Sequence, residues 1–381
     1  TELKIAGEPP DDRLQPRLRP PGPASEQADE LESRARQLSM ASREREAIAL
    51  AQRALDLQRE AHGRDNQDYV KGLDLLASLN LALGQHEKAR TLYEESLQIG
   101  ETIGQEDVKL AETIKSLAEQ CDKTGQRAKA TELYERALGI YRRLLGETDF
   151  RYSIELAQLA SRWRAIGNYE TAQSLFQTVL SIRRQTVSES HPDYADSLHG
   201  LGLVCAERGN FAEALSHLRQ AQEIRESVLG TSSRDFILGL RGLSSLHLAQ
   251  RDFSNAEDLL LRALEILKSS FGQSHPDYID VLAEMRDLYF VADRYAEAVS
   301  VGEKVCEIDR LEYGRVGTVY PVSLDRLGLL LEMVGQYAEA ETRYAEALRV
   351  RQQFYGERDV NCAKSFLRLG ALYRRSMQSN E

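Results

Sequence analysis

The sequence predicts an all-α protein built from repeated helix-turn-helix units, and three observations support this. A glycine recurs about every 42 residues, apolar residues follow it at helical spacing, and an alanine occupies one fixed place in each interval. Alternating apolar segments and the Asn-Gly or Asp-Gly turns of β-hairpins are missing from the sequence. At 381 residues, the chain is long enough for an extended array or for several domains.

The recurring glycine defines position 0 of each repeat. It recurs after 41 residues once and after 42 thereafter, with Ser188 in one of its places and glycine in the others: Gly63, Gly104, Gly146, Gly230, Gly272, Gly314 and Gly356. Alanine stands at position 26, at Ala89, Ala130, Ala172, Ala214, Ala256, Ala298 and Ala340. We therefore interpret residues 25–356 as eight helix pairs with boundaries near 63, 104, 146, 188, 230, 272, 314 and 356.

Each repeat divides into two helices and a turn. Large apolar residues at positions 10 and 13, such as Leu198 and Leu201, lie on one face of a first helix. A second helix follows from about position 24, and glycine at position 21 is typical of the left-handed turn between them. Arg251 and Asp293 replace this glycine, so we expect their turns to be built differently or to carry a small strain.

The two ends differ from the repeats. Six of the nine prolines lie within residues 9–23, so residues 1–24 are expected to be a flexible tail or linker; the alternative is an extended strand lying in a groove of the array. The chain starts with Thr1 instead of Met, which suggests a processed product or a piece of a longer protein. Residues 357–381 are expected to form a C-terminal capping helix, kept polar by Lys364, Arg368, Arg374 and Arg375.

The repeat resembles a known family. Leu198-x2-Leu201-Gly202-x2-Cys205 is similar to the first helix of a tetratricopeptide repeat, and Ala172 with Phe176 is similar to its second helix. The 42-residue unit that opens with His191-Pro192-Asp193-Tyr194 resembles the kinesin-light-chain variety. This resemblance implies an α-solenoid, a right-handed superhelix of about eight units whose first helices line a concave groove. The paired asparagines of kinesin light chains are replaced here, so cargo recognition of that type is not expected.

The family geometry implies which side chains face the groove. From them we select as partner-binding residues Arg164, His199, Leu203, Arg241, Leu248, Asp287, Phe290 and Leu329. Arg164 and His199 are expected to hold a carboxylate of the partner, and an exposed Phe290 would need a partner or a covering element. Residues 273–356 carry 15 acidic and nine basic residues, which would either steer a basic partner or serve solubility alone.

Several other functions are not expected. The net charge of −11 argues against a nucleic-acid binder, and no apolar run is long enough to insert into a membrane. The sequence has no Gly-rich phosphate loop and no Ser-His-Asp set, so we expect no catalytic residues and no cofactor. The four cysteines show no CxxC spacing, so a metal site is not expected, and buried free thiols would favour a reducing compartment such as the cytoplasm.

The sequence therefore predicts a non-catalytic protein–protein interaction scaffold that binds a peptide or a partner domain in its groove. The alternative is the regulatory or sensor arm of a larger enzyme, such as a peptidase or a kinase, whose catalytic part lies outside this chain.

Overall fold

A computed structural model describes residues 23–41, 43–313, 319–357 and 360–378, and every regular element in them is an α-helix. The 17 helices of these described ranges are α1 Pro23–Met40, α2 Glu44–His62, α3 Gln67–Ala82, α4 His86–Thr102, α5 Val108–Lys123, α6 Arg127–Leu145, α7 Phe150–Ala165, α8 Tyr169–Thr186, α9 Pro192–Glu207, α10 Phe211–Leu229, α11 Arg234–Ala249, α12 Phe253–Ser270, α13 Pro276–Val291, α14 Tyr295–Tyr313, α15 Tyr320–Met333, α16 Tyr337–Tyr355 and α17 Val360–Gln378. The all-α prediction is confirmed. Residues 1–22 of the predicted tail and residues 379–381 of the predicted capping helix lie outside the described residues.

The chain forms two compact units, residues 1–147 and 148–381. The first unit contains α1 to α6 and the second contains α7 to α17. Within each unit, every helix packs against the next helix along the chain, and in the second unit α9 also contacts α7 and α11. The predicted packing of successive helix-turn-helix repeats is thus confirmed, with the first helices of neighbouring hairpins in contact with one another.

The turn inside each hairpin ends the first helix in the same way throughout. Gly209 adopts a φ of +81°, and the N–H of Asn210 donates to the carbonyl of Cys205 at 2.8 Å. This left-handed closure satisfies a carbonyl that the end of the helix leaves free. Arg251 and Asp293 adopt φ values of +61° and +59°, so these two turns keep the same geometry and bear the strain of a side chain in the left-handed region.

The starts of six first helices, α3, α5, α7, α9, α11 and α13, are capped from position 3, whereas α15 has Val319 at its N-cap and no side-chain cap. Asn66, Asp107, Asp149 and Ser233 accept a hydrogen bond from a backbone N–H of the first turn. His191 does the same through Nδ1, which accepts from the N–H of Asp193 at 3.2 Å, and His275 repeats the arrangement with Asp277. The two His-Pro-Asp segments therefore begin the helices α9 and α13.

The two helices of a hairpin approach closely where the sequence places alanine at position 26. All seven of these alanines are at most 1% exposed. Small residues face them at position 14 in most repeats, and a Cβ added to Gly202 would lie 2.8 Å from Cγ of Leu218. On Gly328 an added Cβ would lie 2.6 Å from the ring of Tyr344. Small side chains at these two positions are thus required by the helix packing.

The last helix differs from the expectation of a polar cap. Two of its basic residues turn back toward α15, because Arg375 lies 2.9 Å from Glu332 and Arg368 lies 3.4 Å from Asp325. Phe366 and Leu367 remain exposed instead, at 52% and 74% of their surface. The outer face of α17 is therefore partly apolar.

We expect Ala214→Leu to lower the free energy of unfolding of the second unit by about 1–3 kcal/mol, because the added methyl groups have no space at the crossing. Ala212→Leu is the matched control, since Ala212 is exposed on the same helix two residues earlier. Urea unfolding followed by circular dichroism measures both. Equal stability of the two variants would contradict the close-packing argument.

Candidate partner-binding surface

Several exposed apolar side chains of the second unit lie on first helices near its C-terminal end. Phe290 in the last turn of α13 is 37% exposed, and on α15 Leu329 and Met333 are 40% and 54% exposed. These residues occupy positions 15, 18 and 19 of their repeats, which are turned away from the second helices. Exposed apolar residues that stand together, unlike single ones, are typical of an interaction site.

A pocket of about 390 Å³ lies among α13, α15 and α17. We call it the α13–α15–α17 pocket; it is lined by Arg286, Asp287, Phe290, Arg326, Leu329, Leu330, Met333 and Arg375. Three residues that the sequence analysis selected, Asp287, Phe290 and Leu329, thus meet in one place. The ring of Phe290 packs edge-on against Tyr295, with 5.7 Å between ring centroids, so one side of it is fixed while another part faces solvent.

Two of the three arginines that line the α13–α15–α17 pocket form salt bridges with acidic side chains, and the third acts only at longer range on the buried carboxyl of Asp309. Asp287 accepts from Nε and Nη2 of Arg286 at 2.9 and 2.6 Å. Arg375 donates to Glu332 at 2.9 Å. Arg326 is exposed and forms no ion pair with any described residue. An apolar floor beside a solvated arginine suits an apolar side chain that is followed or preceded by a carboxylate.

Arg286 reaches this pocket because its repeat has a large residue where the others have a small one, and a small residue where the others have a large one. It stands at position 14, where other repeats carry Ala, Gly or Ser, and its side chain is only 5% exposed. On α14, Gly302 stands where other repeats carry Tyr, Phe or Leu. A Cβ on Gly302 would lie 3.7 Å from Cδ of Arg286. The missing side chain of Gly302 therefore makes room for the stem of Arg286.

Four other residues selected from the sequence lie on the same unit but outside the pocket. Arg164 lies 2.7 Å from Glu207, and Arg241 lies 2.5 Å from Glu284, so each arginine already bridges two successive first helices. Leu203 and Leu248 are half-buried and pack against the hydrophobic core. A partner carboxylate would have to compete with Glu207 for Arg164.

His199 is placed differently from the expectation that it faces a partner carboxylate. The residue is only 8% exposed, and Nη1 of Arg225 lies 3.3 Å from its Nδ1. Burial, followed by the nearby Arg225, lowers the pKa of His199 from 6.5 to about 3. The imidazole is therefore neutral and enclosed, and its ring fills the space that Gly242 leaves open, where an added Cβ would lie 2.4 Å from Cε1.

Arg326, Met333 and Arg375 line the pocket but were not selected from the sequence, although the family geometry already placed Met333 on the groove wall. Met333 and Arg375 both occupy position 19, and Arg326 follows the selected position 11 directly. Position 11 itself turns toward neighbouring helices, since Asp325 is 4% exposed and accepts from Arg351 at 2.7 Å. Weighting positions 15, 18 and 19 above position 11 would have added Met333 and Arg375 to the selected residues, but not Arg326 at position 12.

Comparison with known proteins gives a clear family match. A family model described as tetratricopeptide repeat matches more than half of the chain, at residues 31–102, 70–143, 156–227 and 321–381, and a second model with the same description matches residues 240–277. No curated protein was found to match the chain. Across the described residues, no helix is both long and apolar enough to cross a membrane.

Several solved structures are similar in fold. One contains the nearly identical TPR-like repeats of a Podosopora anserina protein assigned as a kinesin light chain, with 23% identity, a TM-score of 0.49 and coverage of 54% of this chain and 97% of that chain. BtubC (BKLC) from P. vanneervenii shows 22% identity and a TM-score of 0.48, over 67% of this chain and 94% of its own. Rap protein complexed with competence and sporulation factor shows 14% identity and a TM-score of 0.49, over 93% of this chain and 99% of that chain.

The buried His199 predicts a pH dependence of stability. Because its pKa is lower in the folded state, the unfolded chain binds the additional proton, and stability falls as the pH drops below 6.5 toward 3. When the pH is lowered from 7.5 to 5.5, we expect His199 to reduce the free energy of unfolding by about 1.4 kcal/mol. The His199→Gln variant should not show this part of the decrease. Urea unfolding at the two pH values measures it. An unchanged pH dependence in His199→Gln would show that the imidazole is not held neutral.

Proposed function

Because this chain belongs to the tetratricopeptide repeat family, we propose that it is a non-catalytic interaction scaffold that holds a protein or peptide partner in the α13–α15–α17 pocket. Proteins of this family bind protein partners. The observation that carries the proposal is the joint exposure of Phe290, Leu329 and Met333 around one depression, with Arg326 beside them. Exposed apolar side chains at such a site are normally covered by a partner.

The partner that fits this pocket presents a large apolar side chain as an anchor. The pocket of about 390 Å³ is large enough for one such side chain, and its walls are formed by Phe290, Leu329, Leu330 and Met333. Burial of a leucine or phenylalanine side chain contributes about 1.5–3 kcal/mol. An anchor of this size accounts for the affinity, while polar neighbours set the register of the bound segment.

Local charge favours a carboxylate next to that anchor. Arg326 is exposed and forms no salt bridge with a described residue, although its charge acts on the buried Asp309, whereas Asp287 is already neutralised by Arg286. The acidic excess of residues 273–356, which the sequence analysis connected with a basic partner, acts at longer range and is screened by salt. At contact distance the charge of Arg326 outweighs this long-range effect. We therefore assign to the partner an acidic residue next to its apolar anchor.

The pocket is well suited to binding because its residues lie on helices that the repeat packing holds in place. Side chains mounted on packed helices lose little freedom when a partner arrives. The same surface would serve a scaffold that acts alone and the regulatory arm of a larger enzyme, since in both the partner is held by these side chains. Binding through Phe290 and Leu329 requires no catalytic group.

We expect peptides selected from a random display library on the full chain to carry a large apolar residue next to Asp or Glu. Leu329→Glu should weaken such a peptide at least about tenfold, because it places a charge in the apolar wall. Arg326→Glu should weaken peptides with an acidic neighbour more than it weakens the same peptides with that acid changed to Gln. Fluorescence anisotropy of a labelled peptide measures all of these affinities.

Leu261→Glu is the matched control for Leu329→Glu. Leu261 is 48% exposed, lies on the second helix α12 of the same unit and does not line the pocket. It should leave the affinity unchanged. If selected peptides bind Leu329→Glu as tightly as they bind the Leu261→Glu chain, the pocket is not the binding site.

A further inference from the structure

Three potential metal ligands converge on the hairpin formed by α9 and α10. Among the described residues, Cys205, Glu213 and His217 bring one ligand atom each within 4.8 Å of one another. Nε2 of His217 lies 3.6 Å from Oε1 of Glu213. In a tetrahedral zinc site with ordinary bond lengths, neighbouring ligand atoms lie about 3.3–3.6 Å apart. The His–Glu separation already has this value, and the thiol sulfur of Cys205 lies within 4.8 Å of both other ligand atoms.

The local fold brings these three side chains together from both helices. Cys205 lies near the end of α9, and Glu213 and His217 lie four residues apart on one face of α10. The tight turn at Gly209 places the end of α9 beside the start of α10. Cys205 is fully buried, whereas the side chains of Glu213 and His217 are 46% and 23% exposed. The cluster therefore has sulfur on its core side and solvent on its outer side.

Comparison among repeats indicates that the cluster is not a consequence of the repeat itself. The three residues occupy positions 17, 25 and 29, and position 29 is leucine in four other repeats, at Leu92, Leu133, Leu175 and Leu259. His217 replaces an apolar residue in the one repeat that also has cysteine at position 17 and glutamate at position 25. Cys121 also stands at position 17, but its repeat has Lys129 and Leu133 at the other two places.

We propose that Cys205, Glu213 and His217 bind a zinc ion that ties α9 to α10. Thiolate, imidazole and carboxylate are all zinc ligands, and a mixed sulfur and nitrogen set favours zinc over magnesium or calcium. Three protein ligands leave the fourth coordination place for a water molecule on the exposed side of the cluster. This differs from the sequence analysis, which discounted zinc because no CxxC spacing is present.

Binding exchanges a proton for the metal. Burial, with Glu213 as the next cause, raises the pKa of the Cys205 thiol to about 11, so the thiol is protonated when no metal is bound. As the zinc–sulfur bond forms, the S–H bond breaks and the proton passes to the solvent. Loss of the proton leaves a negatively charged thiolate, and the zinc cation neutralises this charge. The oxidation states of sulfur and zinc do not change.

The test is a titration of the full chain, reduced and freed of metal with a chelator, with Co²⁺ and then Zn²⁺. Cobalt reports thiolate ligation through a charge-transfer absorption band, and zinc should displace it. We expect one ion per chain with this band. The band should be lost in Cys205→Ser, and affinity should fall at least about tenfold in His217→Leu. His217→Leu restores the residue of four other repeats, so its folding is not in question.

Cys121→Ser is the matched control, because Cys121 is equally buried at the same position but lacks both other ligands. It should keep the band and the affinity of the unchanged chain. The proposal is overturned if the unchanged chain gives no thiolate band, if the band survives in Cys205→Ser, if His217→Leu binds the metal as tightly as the unchanged chain, or if the band disappears in Cys121→Ser. Loss of peptide binding by Leu329→Glu has no bearing on this result, so the two proposals fail separately.

Discussion

The close approach of the two helices in each hairpin is the constraint on which the rest of this structure depends. Alanine at position 26 is buried in every repeat, and a small residue usually faces it from position 14. Dispersion contacts and hydrophobic burial between two helices grow as they approach, and a large side chain at the crossing would prevent this. One hairpin alone cannot bury its apolar face, so within each of the two units every hairpin also packs against the next one. The first helices are thereby held as a layer with one face free.

Two repeats depart from the usual residue sizes at their helix contacts, and each departure contributes a residue to one of the two candidate sites. Arg286 replaces a small residue at position 14, and Gly302 compensates by giving up the usual large one. The exchange keeps the core volume nearly constant and leads a guanidinium group to the edge of the pocket, where it neutralises Asp287. At the α9–α10 hairpin, His217 replaces a leucine in a similar way. Such departures are informative because a uniform repeat needs none of them.

Local environment, more than total charge, determines what the candidate surface can bind. The chain carries a net charge of −11, but the pocket has an exposed arginine, Arg326, that forms no salt bridge with any described residue. His199 shows the same principle in the interior, where burial and Arg225 keep the imidazole neutral. A charge inferred from residue type is therefore a poor guide until desolvation and neighbours are known.

The repeat length, the all-α class and the placement of turns and caps could be derived from the amino-acid sequence, because helix periodicity and glycine or capping residues act locally. The tetratricopeptide resemblance also picked out Asp287, Phe290 and Leu329. It failed for His199, since the burial of position 11 results from Arg225 and Gly242 on neighbouring helices. The convergence of Cys205, Glu213 and His217 likewise needed the folded chain, because ligand distances across two helices depend on how those helices pack and not on sequence spacing.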